Sequence, residues 1–227
     1  VIEIDSGENA VVLDQTAFFP GGGGQLADTG TLLWQAGGEN TLESPVAALK
    51  KKDERILHYL EGKLPELGTR IEGRIDWERR HKIMRTHSAM HVLSGVAWRD
   101  YGAQVTGGSM DILTARMDFE FENFTAELAK EIEERVNREI AEDREIKAYI
   151  LPRAEAEKIP DLIRTKVNLL PESLTEIRVL EVVGLDIQAD GGTHVARTSE
   201  IGRFRITGHK SKGKINKRLK VAIEEAE

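Results

Sequence analysis

The stretch 77-WERRHKIMRTHSAMHVLSGVAWRD-100 decides how this chain is organised. It reads as one long helix. Asp76 stands ahead of it as an N-cap, and Ile83, Met90, Leu93 and Ala97 fall near one stripe at helical spacing. What precedes it has a different rhythm. Val1-Ile2-Glu3-Ile4 and Val11-Val12-Leu13 flank a turn at Ser6-Gly7-Glu8-Asn9, the pattern of a hairpin. A glycine-rich loop, 20-PGGGGQ-25, leads to Thr31–Trp34, a turn at Gly37-Gly38, and Val46–Leu49. A charged turn from Lys50 to Arg55, then Ile56–Leu60 and Arg70–Ile75, complete the segment. Short strands with frequent turns predict a small β-barrel over residues 1–75.

Beyond the helix, Gly102 and Gly107-Gly108 break the chain, and 115-ARMDFEF-121 alternates as a half-buried strand does. Thr125 to Glu142 is a charged amphipathic helix, with Leu128, Ile132, Val136 and Ile140 recurring every fourth residue. Strands are expected at Ile146–Leu151, Ile177–Val183, Phe204–Thr207 and Arg218–Ile223, with a short helix near Ala154–Lys158. The fold class is α+β: residues 76–227 form a second domain with two long helices on a mostly antiparallel sheet.

Composition narrows the function. Of 227 residues, 40% are hydrophobic and 31% charged, the profile of a soluble globular chain. No apolar run approaches the roughly 20 residues that span a bilayer, and no signal-peptide pattern is present. The expected location is cytoplasmic. The absence of cysteine excludes disulfides and thiolate metal ligands. A net charge of −7 excludes a chain basic all over, but not a local basic patch.

Three histidines carry the chemistry. His87 and His91 are four apart on the helix and share one face, about 5–6 Å apart at Cβ, which suits two imidazoles on one ion. Glutamate is missing from the second position, so this is not the HExxH of metalloproteases. In 190-DGGTHV-195, the glycines let the backbone turn sharply, so that Asp190 and His194 can converge on one point. Three imidazoles and a carboxylate suit Zn2+. The alternative for Asp190 is a turn aspartate that caps its own loop.

These segments carry a resemblance. THSAMHVL, followed far downstream by DGGTHVARTSEIGRFRI, is similar to the editing domain of alanyl-tRNA synthetase. So is 13-LDQTAFFPGGGGQLADTG-30, which resembles that family's glycine-rich stretch. The stand-alone AlaX form of the family is the nearest in architecture, since the chain has no room for an aminoacylation domain. The resemblance runs from about residue 11 onward and departs at one place: the family has cysteine where this chain has Asp190.

The resemblance implies zinc ligands at His87, His91 and His194. Asp190 becomes either an oxygen ligand or a group beside the ion that serves as base. The implied reaction is hydrolysis of the ester joining a wrong amino acid, serine or glycine, to the terminal adenosine of alanine tRNA. A pocket shaped for alanine separates such neighbours by only about 1–3 kcal/mol, so a second site is needed. Thr106, in 104-QVTGGSM-110, falls where the family reads the amino acid, and Thr193 lies beside the ligand loop. Gly22, Gly23, Gly24 and Gln25 are expected to shape the pocket or approach the terminal adenosine. The resemblance also brings the family's association with alanyl-tRNA aminoacylation, nucleotide and ATP binding.

The run 209-HKSKGKINKRLK-220 offers Lys210, Lys212, Lys214, Lys217 and Arg218 to tRNA phosphates. Arg79, Arg80, Lys82 and Arg85 are expected to extend that patch. The partner is mischarged tRNA for alanine, with neither DNA nor membrane, and no motif speaks to oligomeric state. Two rival readings remain at this level: a tRNA-binding module inactivated by aspartate at position 190, and a zinc hydrolase of small esters or amides.

Overall fold

Alternation in the first eighty residues and helical periodicity after them become two compact units, Val1–His81 and Lys82–Glu227, in a computed structural model. It describes residues 1–35, 40–160, 162 and 173–225. The expected turn at Gly37-Gly38 lies outside the described residues.

The first unit has six strands: β1 (Glu3–Asp5), β2 (Ala10–Val12), β3 (Gly30–Gln35), β4 (Thr41–Lys52), β5 (Arg55–Leu60) and β6 (Glu72–Ile75). All pair antiparallel in the order β1-β2-β5-β4-β3-β6. The hairpin at the start is present, with Ile4 opposite Val11. Among the described residues no closed barrel is found: β1 and β6 stand at the two ends of the strand order. Closure needs strands long enough to tilt and stagger around an axis. Here the edges are strands of three and four residues, which leave little backbone to pair. The inner face buries Val11, Phe18, Leu32, Trp34, Val46, Leu49 and Leu60. The charged turn expected from Lys50 is shorter than its composition suggests. β4 continues to Lys52, which pairs with Arg55, and Asp53 takes the left-handed conformation (φ 56°) at the tight turn. Lysines on an exposed strand read like a loop.

The helix α1 (Trp77–Tyr101) follows. Asp76 caps it, accepting from Arg79 N at 3.1 Å through Oδ1. Ile83, Ala89, Met90, Val92, Leu93, Val96 and Ala97 are all buried, so the apolar surface is wider than one stripe.

The second unit continues with β7 (Val105–Asp111), β8 (Thr114–Glu120), α2 (Ala126–Ala141), β9 (Ile146–Pro152), α3 (Arg153–Ala156), β10 (Glu176–Val182) and β11 (Asp186–Ala189). A 3-10 turn at Thr198–Ile201 precedes β12 (Arg203–Ser211) and β13 (Asn216–Glu224). Two antiparallel sheets result, β12-β13-β8-β7 and β11-β10-β9. α2 starts where Thr125 Oγ1 accepts from Leu128 N at 3.2 Å, and it buries Ala129, Ile132, Val136 and Ile140. Ile132, Val136 and Ile140 join Leu93, Val96, Phe119, Leu180, Phe204 and Leu219 in one core. Gly107 and Gly108 do not break the chain. They lie inside β7, where the register against β8 shifts between Val105 and Gly107. Glycine within a strand marks such a bulge. Among the described residues, no helix is long and apolar enough to cross a membrane.

Candidate metal centre

Helical spacing sets one wall of the site. One turn of α1 separates His87 from His91, and their ring centroids are 5.3 Å apart. Ser88 and Ser94 lie near the same face.

The other wall is the end of β11 and the loop after it. The main chain of Asp190 is fixed by strand pairing: its N donates to Arg178 O at 3.1 Å, and its O accepts from Arg178 Nη1 at 2.8 Å. Its Oδ1 accepts from Gly192 N at 2.6 Å, the aspartate turn that its loop position suggests. Ser88 Oγ accepts from Val195 N at 3.1 Å and so pins the far end of the loop to α1. Between these anchors His194 is turned inward, its side chain 3% exposed and its ring 4.2 Å from that of His87. Thr193 is partly buried beside it.

The carboxylate that makes this turn also faces all three histidines. Its Oδ2 lies 3.4 Å from His87 Nε2 and 3.7 Å from His91 Nε2, and its Oδ1 lies 3.6 Å from His194 Nε2. One donor atom from each of His87, His91, Asp190 and His194 lies within 4.8 Å of the others. Zn–N and Zn–O bonds near 2.0–2.1 Å in a tetrahedron put ligand atoms about 3.3 Å apart, close to the carboxylate–imidazole spacings here. Both ring nitrogens of His194 are buried without a hydrogen-bond partner. An orphaned buried donor costs about 1–3 kcal/mol, and a ligand to His194 removes part of that cost. The residues fit a metal ion.

The electrostatics agree. Burial pushes His87 below its ordinary pKa and His194 well below it, so both are neutral near pH 7. Burial acts the same way on His91, but Asp186 and Asp190 together outweigh it and hold that ring up at about 9. For Asp190 burial acts upward, yet hydrogen bonding to His87 and His91 keeps the carboxyl well below the usual range. Metal ligands must be deprotonated. Without metal, three of the four already are.

Of the other candidates, Thr106 stands at the β7 bulge, its Oγ1 buried with no hydrogen-bond partner. Gly22, Gly23 and Gly24 all have positive φ, and a side chain added at Gly22 or Gly23 would touch nothing. Gln25 is buried, and its main chain closes the turn onto Gly22. These four residues belong to the first unit, the histidine cluster to the second.

The basic run forms the β12–β13 hairpin and is less free than its sequence suggests. Lys210, Lys212 and Lys214 are exposed. Lys217 is buried, its Nζ donating to Ser211 Oγ, Gly213 O and Lys214 O at 2.8–3.2 Å. Arg218 makes two 2.7 Å bonds to Asp118 on β8, with Lys212 3.6 Å from the same carboxylate. The strand register instead adds two exposed cations to the outer face, Lys220 and its partner Arg116. Arg80 and Arg85 do not extend this patch. Arg80 is buried against Asp28 and Ala17 O, and Arg85 against Ile201 O and Glu224 O. Each satisfies acceptors within its own unit.

The sequence reading missed Asp186, Gln188, Ser88 and Ser94. The serines are legible in hindsight, since Ser88 and Ser94 flank His91 at three-residue spacing. Asp186 has no local signal.

Two family profiles match the chain: the second additional domain of threonyl and alanyl tRNA synthetases over residues 177–220, and class II (A) tRNA synthetases over residues 2–79. The alanyl-tRNA editing protein AlaX-M of Saccharolobus solfataricus is 38% identical, covering 95% of this chain and 89% of its own. AlaX-M of Methanosarcina acetivorans is 35% identical, covering 96% and 91%. The alanine–tRNA ligase of Thermofilum pendens is 40% identical over 87% of this chain, which spans 21% of that enzyme.

Proposed function

This chain belongs to the AlaX family of alanyl-tRNA editing proteins, and from that premise we propose that it removes serine from mischarged alanine tRNA at a zinc centre. The observation that carries the reading is the buried cluster of His87, His91, Asp190 and His194, with both nitrogens of His194 unsatisfied. The cluster supplies three imidazole nitrogens and one carboxylate oxygen, a set suited to Zn2+. Bound there, zinc would supply Lewis-acid chemistry, polarising an ester carbonyl or acidifying a water toward a pKa of about 7.

The reaction joins the oxygen of a water to the ester carbonyl carbon and breaks the bond from that carbon to the ribose oxygen of the terminal adenosine. A proton returns to the ribose oxygen, and free serine leaves. Asp190 would hold the ion together with the three histidines, its carboxylate steadied by the bond from Gly192 N. The Ser88 bond to Val195 holds His194 in place during turnover. Thr106 is assigned the reading of the amino acid. A buried hydroxyl without a partner favours a substrate that brings its own hydroxyl and rejects one that lacks it. Seryl-tRNA is then preferred to glycyl-tRNA, and alanyl-tRNA is spared.

Gly22, Gly23 and Gly24, in a turn that Gln25 closes, leave room beside Gly22 and Gly23 for close approach of the terminal nucleotide. Lys210, Lys214 and Lys220 supply phosphate contacts, with Arg116 and Lys212 beside them. The reaction belongs in the cytoplasm. ATP binding and aminoacylation are left to the longer ligases.

The test is deacylation of seryl-, glycyl- and alanyl-tRNA for alanine by zinc-loaded protein, chelated protein, His194→Ala and Thr106→Val. Serine release that is lost on chelation and in His194→Ala supports the reading, as does loss of serine preference in Thr106→Val. Tight tRNA binding with no release would make the chain an inactive binding module. Release from small esters, indifferent to tRNA, would make it a general hydrolase.

A further inference from the structure

We infer that Asp186 orients His91 in the metal centre, and that Gly95 is what allows Asp186 to come close enough to do so. The inference rests on the metal reading above and adds two residues that donate nothing to the ion.

His91 presents Nε2 toward Asp190, at 3.7 Å. Its other nitrogen, Nδ1, lies 3.0 Å from Asp186 Oδ2. The Asp186 side chain is fully buried. A carboxylate there accepts, so the neutral ring carries its hydrogen on Nδ1 and leaves Nε2 as the nitrogen available to an ion. His91 is thereby fixed in the tautomer and ring orientation that a ligand needs, the usual work of a carboxylate behind a metal-binding imidazole. Asp186 is itself held: Gln188 Nε2 lies 2.8 Å from the same Oδ2 and 3.1 Å from Ser94 Oγ on α1. His194 has no such partner on either ring nitrogen. Charge points the same way. A buried dication beside Asp190 alone keeps one positive charge, and Asp186 supplies the second negative one.

The approach of Asp186 to α1 is set by Gly95. Glycine weakens a helix interior relative to alanine, so its place one turn after His91 calls for a packing reason. A Cβ added at Gly95 would stand 2.9 Å from Leu185 Cγ, 3.1 Å from Asp186 Cβ and 3.2 Å from Leu185 O. Such contacts cannot all be kept. An alanine there pushes the start of β11 away from the helix and stretches the bond from Asp186 to His91.

The experiment uses the full chain, with Asp186→Asn and Gly95→Ala beside wild type. Zinc affinity is read by competition with a chromophoric chelator. The His91 tautomer in metal-free protein is read from long-range nitrogen–proton NMR correlations at a pH above 9, where the ring is neutral. Both variants should keep the wild-type circular dichroism and bind zinc about 10–100-fold more weakly. Asp186→Asn should also lose the Nδ1–H form of His91, because the amide can turn its own donor toward that nitrogen. Should Asp186→Asn not fold, Gly95→Ala carries the test alone, since it removes no polar group. Wild-type zinc binding with unchanged affinity in the folded variants would overturn the positioning role and leave the metal centre standing. Failure of wild-type protein to bind zinc would overturn both.

Discussion

Asp190 and His87 meet across the site with Oδ2 3.4 Å from Nε2, a carboxylate held where its family carries a thiol. The contact joins a loop to a helix, and the Asp190 backbone is tied to Arg178 in the neighbouring strand. The oxygen is thus positioned by the fold itself, within 4.8 Å of a ring nitrogen of each of the three histidines.

Removing that donor should be severe. Asp190→Ala is expected to lower zinc affinity by more than the roughly 10–100-fold that an outer partner contributes. Asp190→Cys should retain zinc, and its cobalt form should gain a thiolate charge-transfer band in the near ultraviolet. Elemental analysis and chelator competition check the first outcome, and absorption spectroscopy the second. Equal zinc affinity in Asp190→Ala and wild type would remove Asp190 from the ligand set.

The hairpin lysines should divide into two groups. Each of Lys210→Gln, Lys214→Gln and Lys220→Gln should reduce the slope of log tRNA affinity against log salt by about 0.7–0.9. Lys217→Gln should leave the slope unchanged and loosen the hairpin, because its ammonium closes the turn through Ser211, Gly213 and Lys214. Filter binding across a salt series separates the groups. A slope change in Lys217→Gln as large as in Lys210→Gln would show that Lys217 leaves the turn to meet RNA.

The aspartate of the glycine-rich stretch should matter for stability of the first unit. Asp28 Oδ1 takes a 2.7 Å bond from Arg80 Nε, and its Oδ2 accepts from Phe19 N at 2.5 Å. Both partners of the ion pair are buried. Asp28→Ala leaves the guanidinium without its counter-charge and should cost about 3–5 kcal/mol, read from urea unfolding. A cost below about 1 kcal/mol would mean that Arg80 finds another partner or water.

Acid should weaken the first unit through His58. The ring is buried, with Nδ1 3.1 Å from Ile56 O and Nε2 2.9 Å from Thr16 Oγ1. Burial, partly opposed by backbone carbonyls, lowers its pKa below the ordinary 6.5. The unfolded chain therefore binds the proton more readily. Stability is fully present above about pH 6.5 and falls as pH drops from there toward the folded pKa. Urea midpoints between pH 7.5 and pH 5 should decline, and His58→Gln should flatten that decline. Parallel profiles for the two proteins would assign the acid sensitivity elsewhere.

The sequence by itself determined what depends on near neighbours. Alternation marked the first hairpin and β8, short apolar runs between turns marked β3 and β5, a helical stripe marked α1, and four-residue spacing marked α2. The pair His87 and His91 was legible because a helix turn brings them together wherever the helix lies. Asp190 and His194 were legible because glycines make a short turn between them. Tertiary structure decided what depends on distant ones. The strand order of the first sheet, with short β1 and β6 at its ends among the described residues, is something no single strand pattern encodes. Lys217 and Arg218 look like free cations in a run without acids, yet one closes its own hairpin and the other meets Asp118 on β8. Asp186 falls between the strands that the sequence predicts. It reaches His91 only because β11 packs against α1 at a glycine. Local periodicity records which way a side chain points. Only the packing of distant segments fixes what it meets.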